Sequence, residues 1–521
     1  MSALSRIEEL QSARRAVPRP SDRISRVVIV GGGSAGWMAA TTLSQALGQA
    51  CSITLIESEA LGTVGVGEAT IPSIRMLNRM MGIQEKAFMQ RTQATFKLGI
   101  DFVNWGRPGH RYFHGFGFFG EAFDTMPVHQ HWLRQRHRPD VGELEDYCLS
   151  WQMARRDRFS HPMEDTRRLQ STFNYAYHFD AGLYAGYLRE VSTERGVQRV
   201  EGIITHVHQD PENGFVTRLV LQDGREIEGD LFIDCSGFRS ILLGHTLKVG
   251  YESWAHWLPC DRAVALPCER RGPPRPYTRA TARAAGWQWT IPLRHRVGNG
   301  YVYASAFAQP DHAEAELQGW LEGPALAGGN HLKFTAGRRH KAWVGNVVAL
   351  GLASGFLEPL ESTSLHLVHS GLTTLLALFP DRHFHRSVQN EFNRRFAMEM
   401  ERIRDFLVLH YKLNQRDDTE LWRYCAHMSI PDSLQERMEL FRHGGHLQLD
   451  HADLFGAESW LMVHIGQFNI PQSCSPMVDL RNFDGHDALL QLRRRLEATA
   501  QAMPTQEEFL GRYLVDSPTR S

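Results

Sequence analysis

Gly31-Gly32-Gly33-Ser34-Ala35-Gly36 fits G-x-G-x-x-G, the spacing that brings backbone close to a dinucleotide pyrophosphate. In that reading Gly31 permits the tight turn, Gly33 admits the phosphates, and Gly36 lets helix and strand pack closely. N–H groups at the start of the helix, reinforced by its dipole, favour an anion there. Glu57 stands near the roughly 20-residue spacing at which an acid takes the ribose hydroxyls. The fingerprint does not separate FAD from NAD(P), and the chain holds one copy of it, so a reduced flavin would have to come from another protein. Three other places carry groups of interest. Trp287 and Trp289 share one face of any strand that holds them, which by spacing alone reads as two core tryptophans. Lys97 lies in the apolar and aromatic segment Ala94-Thr95-Phe96-Lys97, although a lone lysine is ordinarily a solvated charge. Glu358 and Glu361 precede a helical pattern, where a cap or the dipole alone accounts for an acid.

The elements that must position these groups follow from periodicity. Arg26–Val30 (RVVIV) is a β-branched run suited to a buried parallel strand, the fingerprint opens a helix to about Leu47, and Ser52–Glu57 (SITLIE) is the next strand. Strand-like runs recur at 231–234, 300–306 and 347–350, far apart, so the sheet is assembled from several segments. From about His366 the pattern turns helical, at 366–379, 388–412 and 488–503. The expectation is an α/β (α+β composite) chain: a tail at 1–25, a nucleotide-binding box at 26–375 and a helical substrate-side module at 376–521.

Composition narrows the function classes. A formal net charge of −1 over 521 residues leaves no electrostatic footprint for nucleic acid or an anionic membrane. Seven scattered cysteines without a CxxC pair suggest neither a disulfide framework nor a zinc site, which fits a reducing cytoplasm. Residues 1–26 hold charges and prolines rather than an apolar signal-peptide core. No stretch approaches the roughly 18 apolar residues of a spanning helix, so no membrane is expected. The histidines, His383 and His385 included, lack metal-binding spacing, and no metal is expected.

Six ordered segments then carry a resemblance. GWQWTIP at 286–292 matches the W-x-W-x-I-P signature of the flavin-dependent tryptophan halogenases. GVGEATIP at 65–72, KLGIDFVNW at 97–105, YHFDAGL at 177–183, DCSGFRS at 234–240 and FLEPLEST at 356–363 resemble the same family. The likeness runs from Arg26 to about Leu510. It implies a Rossmann-like FAD box of the p-hydroxybenzoate hydroxylase type with a helical C-terminal module. It also implies that FADH2, O2 and halide yield hypohalous acid, which migrates to a separate pocket and halogenates an electron-rich aromatic. A separate NAD(P)H-dependent flavin reductase would supply the FADH2 to a monomer or homodimer.

Carried over by position, Lys97 is the catalytic lysine, acting as a hydrogen-bonding ammonium or as a haloamine, and Glu361 is the base for the cationic ring intermediate. FAD contacts fall on Ser34, Ala35, Leu61, Val66, Ala69, Ile204, Leu352 and Leu365 beside Gly31, Gly33, Gly36 and Glu57. Thr363 and Ser364 match the halide site. Trp287 and Trp289 match the wall between the pockets, and His114 and Phe116 the substrate pocket, although His114 reads equally well as a buried, hydrogen-bonded histidine. The chain departs from the family at two places. Ser364 replaces a glycine, as in relatives that brominate free indoles, and a Cβ there is expected to alter the backbone and the halide fit. The paired tyrosines that grip the amino acid of tryptophan are missing around Phe455-Gly456-Ala457-Glu458-Ser459-Trp460. An indole, a phenol or a larger tryptophan-containing molecule is expected instead. The rivals are a flavin-dependent aromatic monooxygenase on the same fold and a noncatalytic flavin-binding protein.

Overall fold

Six short strands, scattered over more than 300 residues of chain, assemble one sheet in the order Trp343–Val344, Val347–Ala349, Leu231–Asp234, Arg26–Val30, Ser52–Glu57, Gln198–Glu201. All neighbours are parallel except the first pair. The computed structural model describes residues 22–61, 67–120, 122–449 and 453–515. Most of the 1–25 tail, all of Val66 and the side chain of Leu61 lie outside the described residues. Arg26–Val30 occupies the centre of the sheet with all but Arg26 buried, as its β-branched run requires when both faces are covered. Helix Ser34–Leu47 follows and packs between helices Ala181–Glu194 and Ser364–Ala377.

A second, seven-stranded sheet carries the tryptophan pair. Its order is Asn330–Lys333, Arg262–Ala265, Val297–Tyr303, Gly286–Pro292, Thr278–Arg283, Gly99–Val103, Arg111–Gly115. The strand expected at 300–306 instead spans Val297–Tyr303. Its Gly298 and Gly300 are both needed inside the sheet. Gly298 lies against Gly67, and a Cβ on Gly300 would come within 2.0 Å of the Trp289 ring on the neighbouring strand.

Lys97 sits at the end of the short strand Thr95–Lys97, paired opposite Ala176. Flanking contacts fix that strand. The Thr95 hydroxyl donates to the Pro292 carbonyl at 2.7 Å, and the Phe96 N–H donates to the Gln506 side chain at 2.9 Å. Gln506 begins the helix Gln506–Tyr513, so the end of the chain clamps the strand that bears the lysine. The three expected helices appear as Ser364–Ala377, Arg386–Lys412 and Gly485–Gln501, starting two or three residues earlier than their apolar periodicity does. Among the described residues no strand follows Phe356, and no helix is long and apolar enough to cross a membrane.

Candidate functional site

The glycines of the fingerprint do different work in space. Gly31 has φ +111°, and a Cβ there would sit 2.3 Å from the Cys235 carbonyl oxygen. A Cβ on Gly36 would meet the Gly31 carbonyl oxygen at 1.8 Å, so both positions exclude a side chain by contact with backbone. Gly33 has nothing within 4 Å in that direction and opens onto a cavity of about 540 Å3. No side chain caps the helix at Gly33, which leaves its first-turn N–H groups to a ligand. Gly32, an unspecified position of the motif, lies directly under the Glu57 carboxylate. Glu57 in turn accepts from Arg199 Nε at 2.5 Å and Trp37 Nε1 at 3.3 Å.

The same cavity is bounded by Ser34, Ala35, Ala69, Ile204, Leu352 and Leu365, and at its apolar end by Trp287 and Trp289. Its backbone cradle at Gly33, the acid Glu57 on its wall and the aromatic end formed by Trp287 and Trp289 fit FAD. The two tryptophans are 1% and 7% exposed, with ring centroids 6.2 Å apart. Trp287 is pinned, since its Nε1–H donates to Glu358 Oε2 at 2.7 Å, and the Tyr411 hydroxyl donates to the same oxygen at 2.6 Å. The other oxygen, Oε1, has no partner. Burial pushes the Glu358 carboxyl up to about 7 despite those two donors.

Lys97 does not line the cavity; Ser362 does. The Lys97 Nζ donates to Ser362 Oγ at 2.8 Å, so the amine stands one side chain behind the wall. It is wholly buried, 5.2 Å from the centre of the Phe116 ring. Burial pulls the ammonium down to about 7, against the opposing attraction of Glu361. Glu361 is also fully buried, at the end of the 3₁₀ turn Pro359–Glu361, and caps no helix. His114 Nδ1 lies 2.9 Å from both of its oxygens. His410 Nε2 lies 2.8 Å from Oε1, within ion-pair distance but off the hydrogen-bond line. Burial alone would raise the Glu361 pKa, but the charge and hydrogen bonds of His114 and the closeness of His410 bring it down to about 2.

Ser362, the residue between these two pockets, has φ +60°, a left-handed turn that aims its hydroxyl at the lysine. Thr363 and Ser364 follow at the start of helix Ser364–Ala377. Ser364 lines the cavity, Thr363 is buried, and the Thr363 hydroxyl has no partner. Ser364 is not among the residues with positive φ, so its Cβ sits in ordinary helical backbone without strain. Phe455 stacks on Phe406 at 4.0 Å, and His114 faces both rings, so the stretch without paired tyrosines closes an aromatic pocket beside Glu361.

The structure therefore joins Lys97, His114, Phe116 and Glu361 in one buried cluster, and the glycines, Glu57 and the tryptophans around the cavity. Sequence reasoning missed Ser362, His410, Gly32 and Arg199. Ser362 lay inside the quoted FLEPLEST segment and needed only its φ to be noticed. Nothing in the sequence around His410 marks it.

A dinucleotide cradle that ends in an aromatic wall, with a buried lysine one side chain behind it, has the makings of a flavoprotein site. The comparisons narrow that class. The tryptophan halogenase family model matches residues 26–482, and the chain belongs to that family. Its structure is similar to that of Xcc4156, a flavin-dependent halogenase from Xanthomonas campestris, with TM-score 0.91 and 47% identity over 95% of this chain and 99% of that one. BrvH, a flavin-dependent halogenase from Brevundimonas sp. BAL3, gives TM-score 0.91 and 44% identity over 95% of this chain and 100% of that one. Tryptophan 6-halogenase SttH of Streptomyces toxytricini is 40% identical over 441 residues, which is 80% of this chain and 84% of the relative. This protein is a flavin-dependent halogenase, an enzyme of a family that works with reduced FAD, O2 and halide.

Proposed function

We propose that this halogenase acts on a free indole or another electron-rich aromatic of similar size, prefers bromide, and uses Lys97 to deliver the oxidant and Glu361 to remove the ring proton. The observation that carries this reading is a dry lysine and a doubly held carboxylate in one aromatic pocket, one side chain from the flavin cavity. Bound FAD, arriving reduced from a separate NAD(P)H-dependent reductase, supplies the oxidising chemistry with O2. Gly31, Gly33, Ser34 and Ala35 hold its phosphates and Glu57 its ribose, while Trp287 and Trp289 keep the aromatic substrate away from it.

Thr363 and Ser364 hold the halide at the helix start, where unpaired N–H groups favour an anion. Bromide is the more easily oxidised halide, and Ser364 in place of glycine marks this chain off from the tryptophan halogenases. Lys97, with its amine close to half protonated near neutral pH, hydrogen-bonds the arriving hypohalous acid and polarises it toward the ring. His114 and Phe116 pack against the ring, and Glu361 takes its proton. Among the described residues around Phe455 and Trp460 there are no paired tyrosines to grip an amino-acid backbone.

Turnover with a flavin reductase, indole and equimolar bromide and chloride tests the proposal. Bromoindole is expected to dominate the product. Predominantly chlorinated product would overturn the halide preference, and an oxygenated product formed without halide would overturn the substrate chemistry.

A further inference from the structure

His410 projects from the long helix Arg386–Lys412 into the same cluster, with Nδ1 on backbone and Nε2 set against Glu361 at ion-pair distance. Nδ1 lies 2.8 Å from the Phe406 carbonyl oxygen, one helical turn back. A carbonyl only accepts, so Nδ1 carries a proton. Nε2 lies 2.8 Å from Glu361 Oε1, and both groups are fully buried. A bare Nε2 would set a lone pair against a carboxylate oxygen in a dry interior, a contact without compensation. One proton must therefore lie between them, whether on the imidazolium or on the acid.

We propose that His410 is a positioning residue for Glu361: by sharing that proton at Oε1 it keeps the carboxylate anionic in a dry pocket and leaves Oε2, on which only His114 bears, to receive the ring proton. This rests on the reading of Glu361 as the base. The order of protons is then defined. The C–H bond of the halogenated ring breaks, its electrons restore the aromatic system, and the proton passes to Oε2, while the proton at Oε1 stays with His410. No oxidant or reductant enters this step.

The groups that face the pair come from every element around it. His114 and Tyr112 project from strand Arg111–Gly115, and the Tyr112 hydroxyl is buried without a partner. Lys97 approaches from strand Thr95–Lys97, close enough for Glu361 to oppose the loss of its proton. His464, from helix Ala457–Gly466, is buried with Nε2 unpartnered and is held neutral, at about 3, by burial and by the charge of His410. Gln467 donates to the His410 carbonyl at 3.1 Å. Phe102 and Trp105 close the remaining side as aromatic rings, 5.0 Å and 6.2 Å from the His410 ring. Of the groups that reach Glu361, His410 is the one whose second nitrogen is committed to backbone, so it cannot turn away without abandoning the Phe406 carbonyl.

The test compares full-length wild type, H410F and H410Q in two ways. In the pH profile of indole bromination, H410F is expected to move the acid limb upward by about one pH unit, because burial then acts on Glu361 with His114 alone to oppose it. H410Q, which keeps a donor but no charge, should move it in the same direction by less. Independently of halogenation, the infrared spectrum of H410F at neutral pH should gain a protonated-carboxyl band that vanishes in H410F/E361Q. An unchanged acid limb and an unchanged carboxyl band in folded H410F, or in folded H410Q where H410F does not fold, would overturn the proposal. A wild type that yields no halogenated indole while the band still appears would sink the proposed function and leave the His410–Glu361 pair standing.

Discussion

The cavity and the buried cluster on either side of Ser362 are built from different material. The flavin cavity is shaped largely by backbone: positive φ at Gly31, an absent Cβ at Gly33 and Gly36, and an uncapped helix start. The lysine pocket is shaped by side chains that are fully buried and hold one another, with Lys97 on Ser362 and Glu361 between His114 and His410. A backbone-built site tolerates no added atoms but needs no particular functional group. A side-chain-built site tolerates changes of shape poorly and changes of charge worse, because each buried ionisable group depends on its neighbour for compensation.

Two substitutions sharpen that contrast, the larger effect first. G36A should weaken FAD binding and lower thermal stability together, because its Cβ meets the Gly31 carbonyl oxygen at 1.8 Å. Overpacking of that kind costs about 1–3 kcal/mol, or roughly ten- to hundredfold in affinity. G33A, whose Cβ meets nothing, should weaken FAD binding alone, as flavin titration and thermal melts of the FAD-free protein would report. Equal loss of melting temperature in both would break the idea that Gly33 serves only the ligand.

The smaller effect belongs to Glu358, whose folded pKa is raised by burial to about 7. An acid with a raised folded pKa stabilises the fold fully below its unfolded value, and that contribution is lost as pH rises through the folded one. E358Q removes the titration and keeps an oxygen for Trp287 and Tyr411. Its stability advantage over wild type should thus be small near pH 5, grow by about 1 kcal/mol for each pH unit up to about pH 7, and level off above it. Melts across that range that show a constant difference would contradict a buried, titrating Glu358.

These contrasts also explain what could be read from the chain. The flavin cradle is local, a strand, a turn and a helix within Arg26–Leu47, so glycine spacing and β-branched periodicity were enough to place it. Lys97, His114, Glu361 and His410 are brought together by tertiary packing across some 300 residues, and no spacing rule links them. On residue type alone Lys97 looked like surface charge and Glu361 like a cap; family resemblance located both, and the structure explains why neither is ordinary. His410 and Ser362 escaped because their roles depend on a second ring nitrogen and on a positive φ, which composition does not express. The strand at Val297–Tyr303 begins three residues before the expected Gly300, with Gly298 against Gly67 and Gly300 under Trp289, packing that residue types alone do not express.

The central claim, that an oxidant made in one chamber is handed on by Lys97 in the other, is tested most directly by K97A in the presence of excess free methionine, which consumes any hypohalous acid that escapes into solution. With FAD bound equally in both proteins, wild type should keep brominating indole under these conditions, and K97A should lose about a thousandfold in bound bromination. Bromination by K97A at the wild-type rate, with methionine present, would contradict the account.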